Sequence, residues 1–267
     1  MTLFQAIVYA IVNSFSQFLP ISYSAHQTFV PLVTGWPIPE GPLDSMIHLG
    51  FLGALLLYFR HDWLSMFSCF LQVLIFRERP MTLDERLPFF LFLTALPTLL
   101  CAKYLGNQLP AFSVFSIAGV FLGATFVLGY LEKSNKNSKG MFDWKWRDAL
   151  FLGIFQVFGI IPGGDPFTGI LFGAFFLNYQ ITPAVKYAYY SLFPILVMQV
   201  LTQWQGKFEG FGSNWLILTT SGLTALLTSL LVIGGLLRHI QSQRLSQYLL
   251  YRVILGAGII LIFWLKN

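Results

Sequence analysis

Charge is what this chain has least of. Only 10% of its 267 residues are Asp, Glu, Lys or Arg, against roughly 25% in soluble domains, which excludes an ordinary water-soluble fold. Cysteine is equally scarce. Cys69 and Cys101 are the two present, both inside apolar runs, so buried thiols are expected rather than a disulfide. Residues 1–20 lack a basic n-region and a small-residue cleavage site, and are expected to belong to the mature fold. The net charge of +5 does not indicate nucleic-acid binding, because the cations fall in short loops between apolar segments. That pattern suits membrane orientation and anionic headgroups. What fills the chain instead is apolar: 56% hydrophobic residues and a mean hydropathy of +0.69. An all-α, multi-pass membrane protein follows, with residues 1–267 forming one transmembrane domain.

Hydrophobic runs lie at about 43–60, 64–77, 87–105, 111–131, 183–204, 214–237 and 247–265. Runs near or above ~18 residues are candidate spans; the run at 64–77 is short, and reads as interfacial or tilted. The segment "EKSNKNSKGMFDWKWR", about 132–147, carries five cations and is the expected cytoplasmic loop. The loop holding Arg238 and Arg244 is the second. Lys103 reads as a snorkelling residue near a span end, and His48, Arg60, His61 and Asp62 as interfacial; Arg252 reads as a candidate for burial.

Two stretches are too broken to be spans. Residues 149–180 place apolar arms on either side of Pro162-Gly163-Gly164-Asp165-Pro166. Neither arm can cross a core of about 30 Å at ~1.5 Å per residue. Residues 3–33 repeat the layout, with an arm, Pro20, a small polar break and a return. Each is expected to be a re-entrant helical hairpin, followed by a proline-bearing span (Pro97, Pro194). That gives about six full spans plus two hairpins in a pseudo-symmetric, inverted repeat. Broken helices meeting at depth expose unpaired N–H groups, which suit an anion such as phosphate or carboxylate.

The first break reads "NSFSQFLPISYSAHQ", residues 13–27. Asn13 and Gln17 lie one turn apart on one face, aimed at a shared polar pocket. Ser22, Tyr23 and Ser24 can bind headgroup oxygens, or cap a helix and satisfy broken backbone. Asp165 and Lys186 are ionisable at membrane depth, where function is the default reading. An ion pair between them is one account; proton coupling or a zwitterionic ligand is the other.

These motifs resemble those of the bacterial undecaprenyl pyrophosphate phosphatases, the bacitracin-resistance proteins. "FLPISYSAH" (18–26) looks like the family's first motif and "IPGGDPFTG" (161–169) falls where the second should be. "HLGFLGALLLYFRHDW" (48–63), "AVKYAYYSLFPILVM" (184–198) and "YRVILGAGIILIF" (251–263) are similar to three further family segments, in the right order. The resemblance implies the fold above, the bacterial inner membrane as location, and a polyprenyl-phosphate lipid as partner, with no nucleic acid. It also implies which chemistry is missing. Two family glutamates correspond to Asn13 and Gln17, a motif serine to Tyr23, the second-motif arginine to Pro166, and a later glutamate to Lys186. The serines beside that arginine become Asp165 and Phe167. Only His26 keeps its motif place, as candidate catalytic residue.

An arginine offers a permanently charged fork that proline cannot replace, and amides neither accept a proton nor hold a divalent cation usefully. The expected function is therefore binding of a polyprenyl-phosphate-type lipid or similar amphiphilic anion, with movement across the bilayer open to it and the family's usual hydrolysis lost. The candidate ligand residues are Asn13, Gln17, Ser22, Tyr23, Ser24, Gly163, Gly164, Asp165, Thr168 and Lys186. No metal or cofactor is expected. A divalent cation enters only under the alternative, an active undecaprenyl-diphosphatase with rearranged chemistry around His26. A non-catalytic regulatory partner in the envelope machinery is the second alternative.

Overall fold

The computed structural model describes residues 1–39, 41–76, 80–105, 108, 110–204, 215–241 and 245–266. Arg244, expected in the second basic loop, lies outside these, as do residues 77 and 214 at the ends of two expected spans. The elements are α1 (Leu3–Phe18), α2 (Tyr23–Thr34), α3 (Pro42–Tyr58), α4 (Arg60–Phe76), α5 (Leu83–Leu105), α6 (Val114–Ser134), α7 (Trp146–Gln156), α8 (Pro166–Phe176), α9 (Ile181–Trp204), α10 (Trp215–His239) and α11 (Ser246–Lys266). Among the described residues, extended pairing is confined to one isolated bridge between Lys139 and Tyr179.

Five of these helices, α5, α6, α9, α10 and α11, are long and apolar enough to cross a hydrocarbon core. The pair α3–α4 adds a sixth span if counted as one, although it bends by 80° at Phe59. Beyond the bend α4 packs on α5, Phe70 against Phe89 (5.3 Å), and leaves Leu64, Phe67, Leu74 and Ile75 exposed, in keeping with a segment expected to be interfacial or tilted. The fold is thus an all-α polytopic membrane protein, as the composition requires.

Each interruption has a local cause. α1 begins on a capping box, with Thr2 Oγ1 accepting from Gln5 N and Gln5 Oε1 accepting from Thr2 N. It stops because Leu19 precedes Pro20 and is forced extended, at φ −107° and ψ 154°. α2 closes on Gly35 in the left-handed region, φ 71°. α8 starts with Asp165 as N-cap, its carboxylate accepting from Thr168 N at 2.7 Å, and Pro166 at the first helical position. Proline at 166 is thus what launches the return arm of the second break.

Both breaks are hairpins. In the second, Phe151 packs on Phe176 (5.6 Å) and Gly173 faces Leu152 while Gly169 faces Phe155, so α7 and α8 run antiparallel. In the first, Trp36 just beyond α2 packs on Phe4 (6.0 Å) and Tyr9 (6.1 Å) of α1, so the chain returns towards where it entered.

They open to opposite ends of the bundle. α6 and α11 run antiparallel, with Phe115 on Phe263 and Gly129 on Leu249, which puts Ser134, Ser246 and the end of α10 at one end. That end carries the segment 135–145 and is called the loop end below. α3 and α10 run parallel, Gly50 against Gly222 and Gly234 against Tyr58, so α3 starts at the far end. The first hairpin leads into α3 and opens to the far end; the second follows segment 135–145 and opens to the loop end.

Segment 135–145 is anchored rather than loose. Trp144 stacks on Tyr179 at 3.5 Å, Asn135 Nδ2 donates to Tyr179 O, and the Tyr179 hydroxyl donates to Asp148 Oδ2 (2.7 Å) and Asp143 O (2.9 Å). Burial pushes the Tyr179 hydroxyl pKa up, and the Asp148 carboxylate beside it adds to the shift, so this donor stays protonated.

Candidate functional site

The two hairpin tips clasp one another. Ser22 is the N-cap of α2 at φ 69°, a conformation uncommon outside glycine. Its hydroxyl donates to Gly163 O (3.0 Å) and Gly164 O (3.2 Å). Ser24 Oγ donates to Gly164 O (2.6 Å) and accepts from Gly163 N (3.0 Å). The glycines are needed for closeness: a Cβ on Gly163, at φ +91°, would lie 2.4 Å from Ile117 O, and one on Gly164 2.3 Å from Phe158 O. Ser22, Ser24, Gly163 and Gly164 are thus brought together, and their polar groups satisfy each other's broken backbone.

Behind the clasp lies a buried cation. Arg252, with no exposed surface, donates from Nε to Thr125 Oγ1 (2.7 Å), from one terminal nitrogen to Pro20 O (3.0 Å) and Thr168 Oγ1 (3.2 Å), and from the other to Phe121 O (3.2 Å). The first terminal nitrogen lies 4.0 Å from Asp165 Oδ2, and the guanidinium sits 4.6 Å from the Phe121 ring centre. The partner of Asp165 is therefore Arg252 of α11. The ion pair considered between Asp165 and Lys186 does not form, because Lys186 sits one turn from the loop-end start of α9, beside Tyr58, Asp62, Thr182 and Arg238.

On the far-end side of the clasp, a cavity of ≈ 780 Å³ opens between α1, α2, α5, the second break and α9. Gln17, Tyr23, Ser24, Gln27, Thr98 and Gln199 are among its lining residues, Gly164, Asp165 and Pro166 close one side, and Lys103 is the lining cation among the described residues. Lys103 lies near the far end of α5 and is exposed, as a snorkelling residue is, but it borders this cavity. Asn13 is fully buried one turn from Gln17; it is not part of the cavity wall, and its side-chain amide has no hydrogen-bond partner among the described residues. Thr168 holds Arg252 and is buried away from the cavity.

His26 faces elsewhere. Its Nδ1 lies 2.8 Å from Ser22 O and its Nε2 2.7 Å from the Tyr251 hydroxyl, and its ring stacks on Tyr251 at 7°. It lines a separate, mostly apolar cavity of ≈ 410 Å³ with Ile11, Phe15, Tyr248 and Tyr251, open where Ile11 and Phe15 are exposed. Both ring nitrogens are engaged, and the ring does not share the cavity of Gln17 and Lys103.

Sequence reasoning missed a carboxylate. Asp44, in the first turn of α3, is buried directly behind the cavity wall. Its Oδ1 accepts from the Tyr23 hydroxyl (3.2 Å) and Gln27 Nε2 (3.4 Å), and its Oδ2 from Gln203 Nε2. His48, expected to be interfacial, is instead buried beside it, Nδ1 2.8 Å from Asp44 O and 3.6 Å from Oδ1. The i, i+4 spacing in "DSMIH" was the available signal. It was hidden by lying at the start of a span, where polar residues are ordinary.

A helical membrane protein whose two re-entrant hairpins enter from opposite ends and meet beside a polar cavity is the class defined here. The sequence matches the bacitracin resistance protein BacA family over residues 6–258, and the chain belongs to that family. Similar curated proteins are named undecaprenyl-diphosphatase. The one from Myxococcus xanthus is 28% identical over 261 residues, covering 96% of this chain and 87% of that protein. The one from Chlorobium phaeobacteroides is 28% identical, covering 97% and 96%, and that from Thioalkalivibrio sulfidiphilus 27% identical, covering 99% and 100%.

Proposed function

We propose that this protein binds the headgroup of a polyprenyl-phosphate-type lipid in the cavity between its hairpins, and that it has lost the hydrolysis after which its relatives are named. The carrying observation is the make-up of that cavity. Its volume falls within the ≈ 300–1,000 Å³ usual for ligand pockets. Its walls offer the side-chain amides of Gln17 and Gln199 and the Lys103 ammonium, groups that hold phosphate oxygens without activating a nucleophile. The Asp165 carboxylate on one side faces Arg252, and the Tyr23 and Ser24 hydroxyls are already bonded to Asp44 and Gly164. Three features argue against cleavage. Amides stand at Asn13 and Gln17. Pro166 is spent on starting α8. His26 is held by Ser22 and Tyr251 in a different cavity. Hairpins opening to opposite ends around one site suit a lipid carrier working from both leaflets, and a bacterial inner membrane is where such a lipid resides.

One observation favours the alternative of an active phosphatase. Asp44 sets a second buried carboxylate behind the cavity wall, bonded to Tyr23 and Gln27, in place to relay a proton there. The deciding experiment is phosphate release from undecaprenyl pyrophosphate by purified protein, with His26→Ala and Asp44→Asn alongside. No release above the protein-free control supports binding alone. Release abolished by either substitution overturns it and identifies the rearranged chemistry.

A further inference from the structure

At the loop end, well away from the cavity between the hairpins, a groove of ≈ 430 Å³ separates the start of α5 from the start of α7. Its lining is Pro80, Arg86, Phe89, Phe90, Lys145, Trp146 and Arg147. All three cations are exposed, as is Trp146, while Phe90 is buried and forms part of the floor. The Arg147 guanidinium lies 5.1 Å from the Trp146 ring centre, which holds both side chains at the rim. Arg86 spends one terminal nitrogen on Met81 O; the Lys145 ammonium has no hydrogen bond or ion pair within the described residues.

Among the described residues, the acidic groups nearby each accept hydrogen bonds outside the groove, although Glu85 also lies close enough to Arg86 to interact with its charge. Asp84 accepts from Ser65, Glu85 from the backbone N–H groups of Met81 and Thr82, and Asp148 from Lys145 N and the Tyr179 hydroxyl. Among the described residues the lining contains no carboxylate. Cations set on an aromatic and proline surface, at the end of a transmembrane bundle, match a phosphate with apolar chain attached better than a free ion. Trp belongs at headgroup level, and clustered Lys and Arg there attract anionic lipid.

We infer that this groove is a second binding site, separate from the one between the hairpins, for the phosphate headgroup of an anionic glycerophospholipid of the loop-end leaflet. Arg86, Lys145 and Arg147 hold the phosphate, and Phe89, Phe90 and Trp146 cover the upper chain.

The test is native mass spectrometry of the full chain titrated with dioleoyl phosphatidylglycerol or dioleoyl phosphatidylcholine, with inorganic phosphate in a parallel calorimetric titration. The chain is expected to hold phosphatidylglycerol in preference to phosphatidylcholine. Lys145→Gln with Arg147→Gln is expected to weaken that binding about thirtyfold, about fivefold per cation. Lys133→Gln with Lys136→Gln removes equal charge from the same end outside the groove, and is expected to change it less than twofold. Inorganic phosphate bound by the parent and lost in the first double variant also supports the site, with a free anion as ligand. Equal losses in the two double variants would overturn it, showing only a general surface field. So would phosphatidylglycerol binding unchanged by the groove substitutions. Because these side chains are exposed, a melting temperature within a few degrees of the parent is expected. Trp146→Ala supplies a charge-neutral check and should weaken lipid binding while leaving phosphate binding unchanged.

Discussion

Arg252→Met keeps the length and much of the volume of the side chain while removing its charge and all its donors. Arg252 makes four hydrogen bonds, to Thr125, Pro20, Thr168 and Phe121, and lies 4.0 Å from Asp165 Oδ2 with both residues buried. At that separation the attraction is about 4 kcal/mol in an effective dielectric near 20. Removing one partner strands the other, which in buried pairs costs about 3–5 kcal/mol. Asp165→Asn strands the buried guanidinium in turn and should cost about 3–5 kcal/mol as well, with no added loss at the α8 cap because asparagine still accepts from Thr168 N. The double variant should then be less destabilised than the sum of the two singles by about 1–3 kcal/mol. Equilibrium unfolding in mixed micelles, followed by far-UV circular dichroism, measures all four corners. A loss below about 1 kcal/mol for Arg252→Met, or singles that add within about 0.5 kcal/mol, would refute the pair as the strut joining α11 to the second hairpin.

The remaining predictions concern the clasp and the two cavities. Gly163→Ala should cost about 1–2 kcal/mol for its left-handed backbone alone, and more because its Cβ would meet Ile117 O at 2.4 Å; the same unfolding assay reads it. Lys103→Gln should weaken headgroup binding about five- to tenfold with stability unchanged within about 0.5 kcal/mol, measured by titration with undecaprenyl phosphate. His26→Ala should leave that titration within about twofold of the parent, while lowering stability by about 1–3 kcal/mol through the loss of its bonds to Ser22 and Tyr251.

The architecture was legible in the sequence because the bilayer imposes a coarse rule. Apolar runs of span length became α5, α6, α9, α10 and α11, and the breaks at Pro20 and at the Pro-Gly stretch 162–166 became hairpins, since neither arm can cross alone. Gln17, Tyr23, Ser24 and Asp165 do reach one cavity. Partnerships across the bundle were not legible. Arg252 and Asp165 are eighty-seven positions apart and meet only because α11 packs antiparallel on α6, behind the second break. Lys186 was expected in the same pocket as an ionisable residue at membrane depth, standing where the family has a glutamate, yet α9 places it at the loop end. Asp44 escaped notice because its partners Tyr23, Gln27 and Gln203 come from α2 and α9.

The account stands or falls on one sample assayed twice: purified protein with undecaprenyl pyrophosphate, scored for bound lipid and for phosphate released. Saturable binding that Lys103→Gln weakens, with no phosphate released above the protein-free control, is the predicted result. Phosphate release that scales with protein concentration would contradict it.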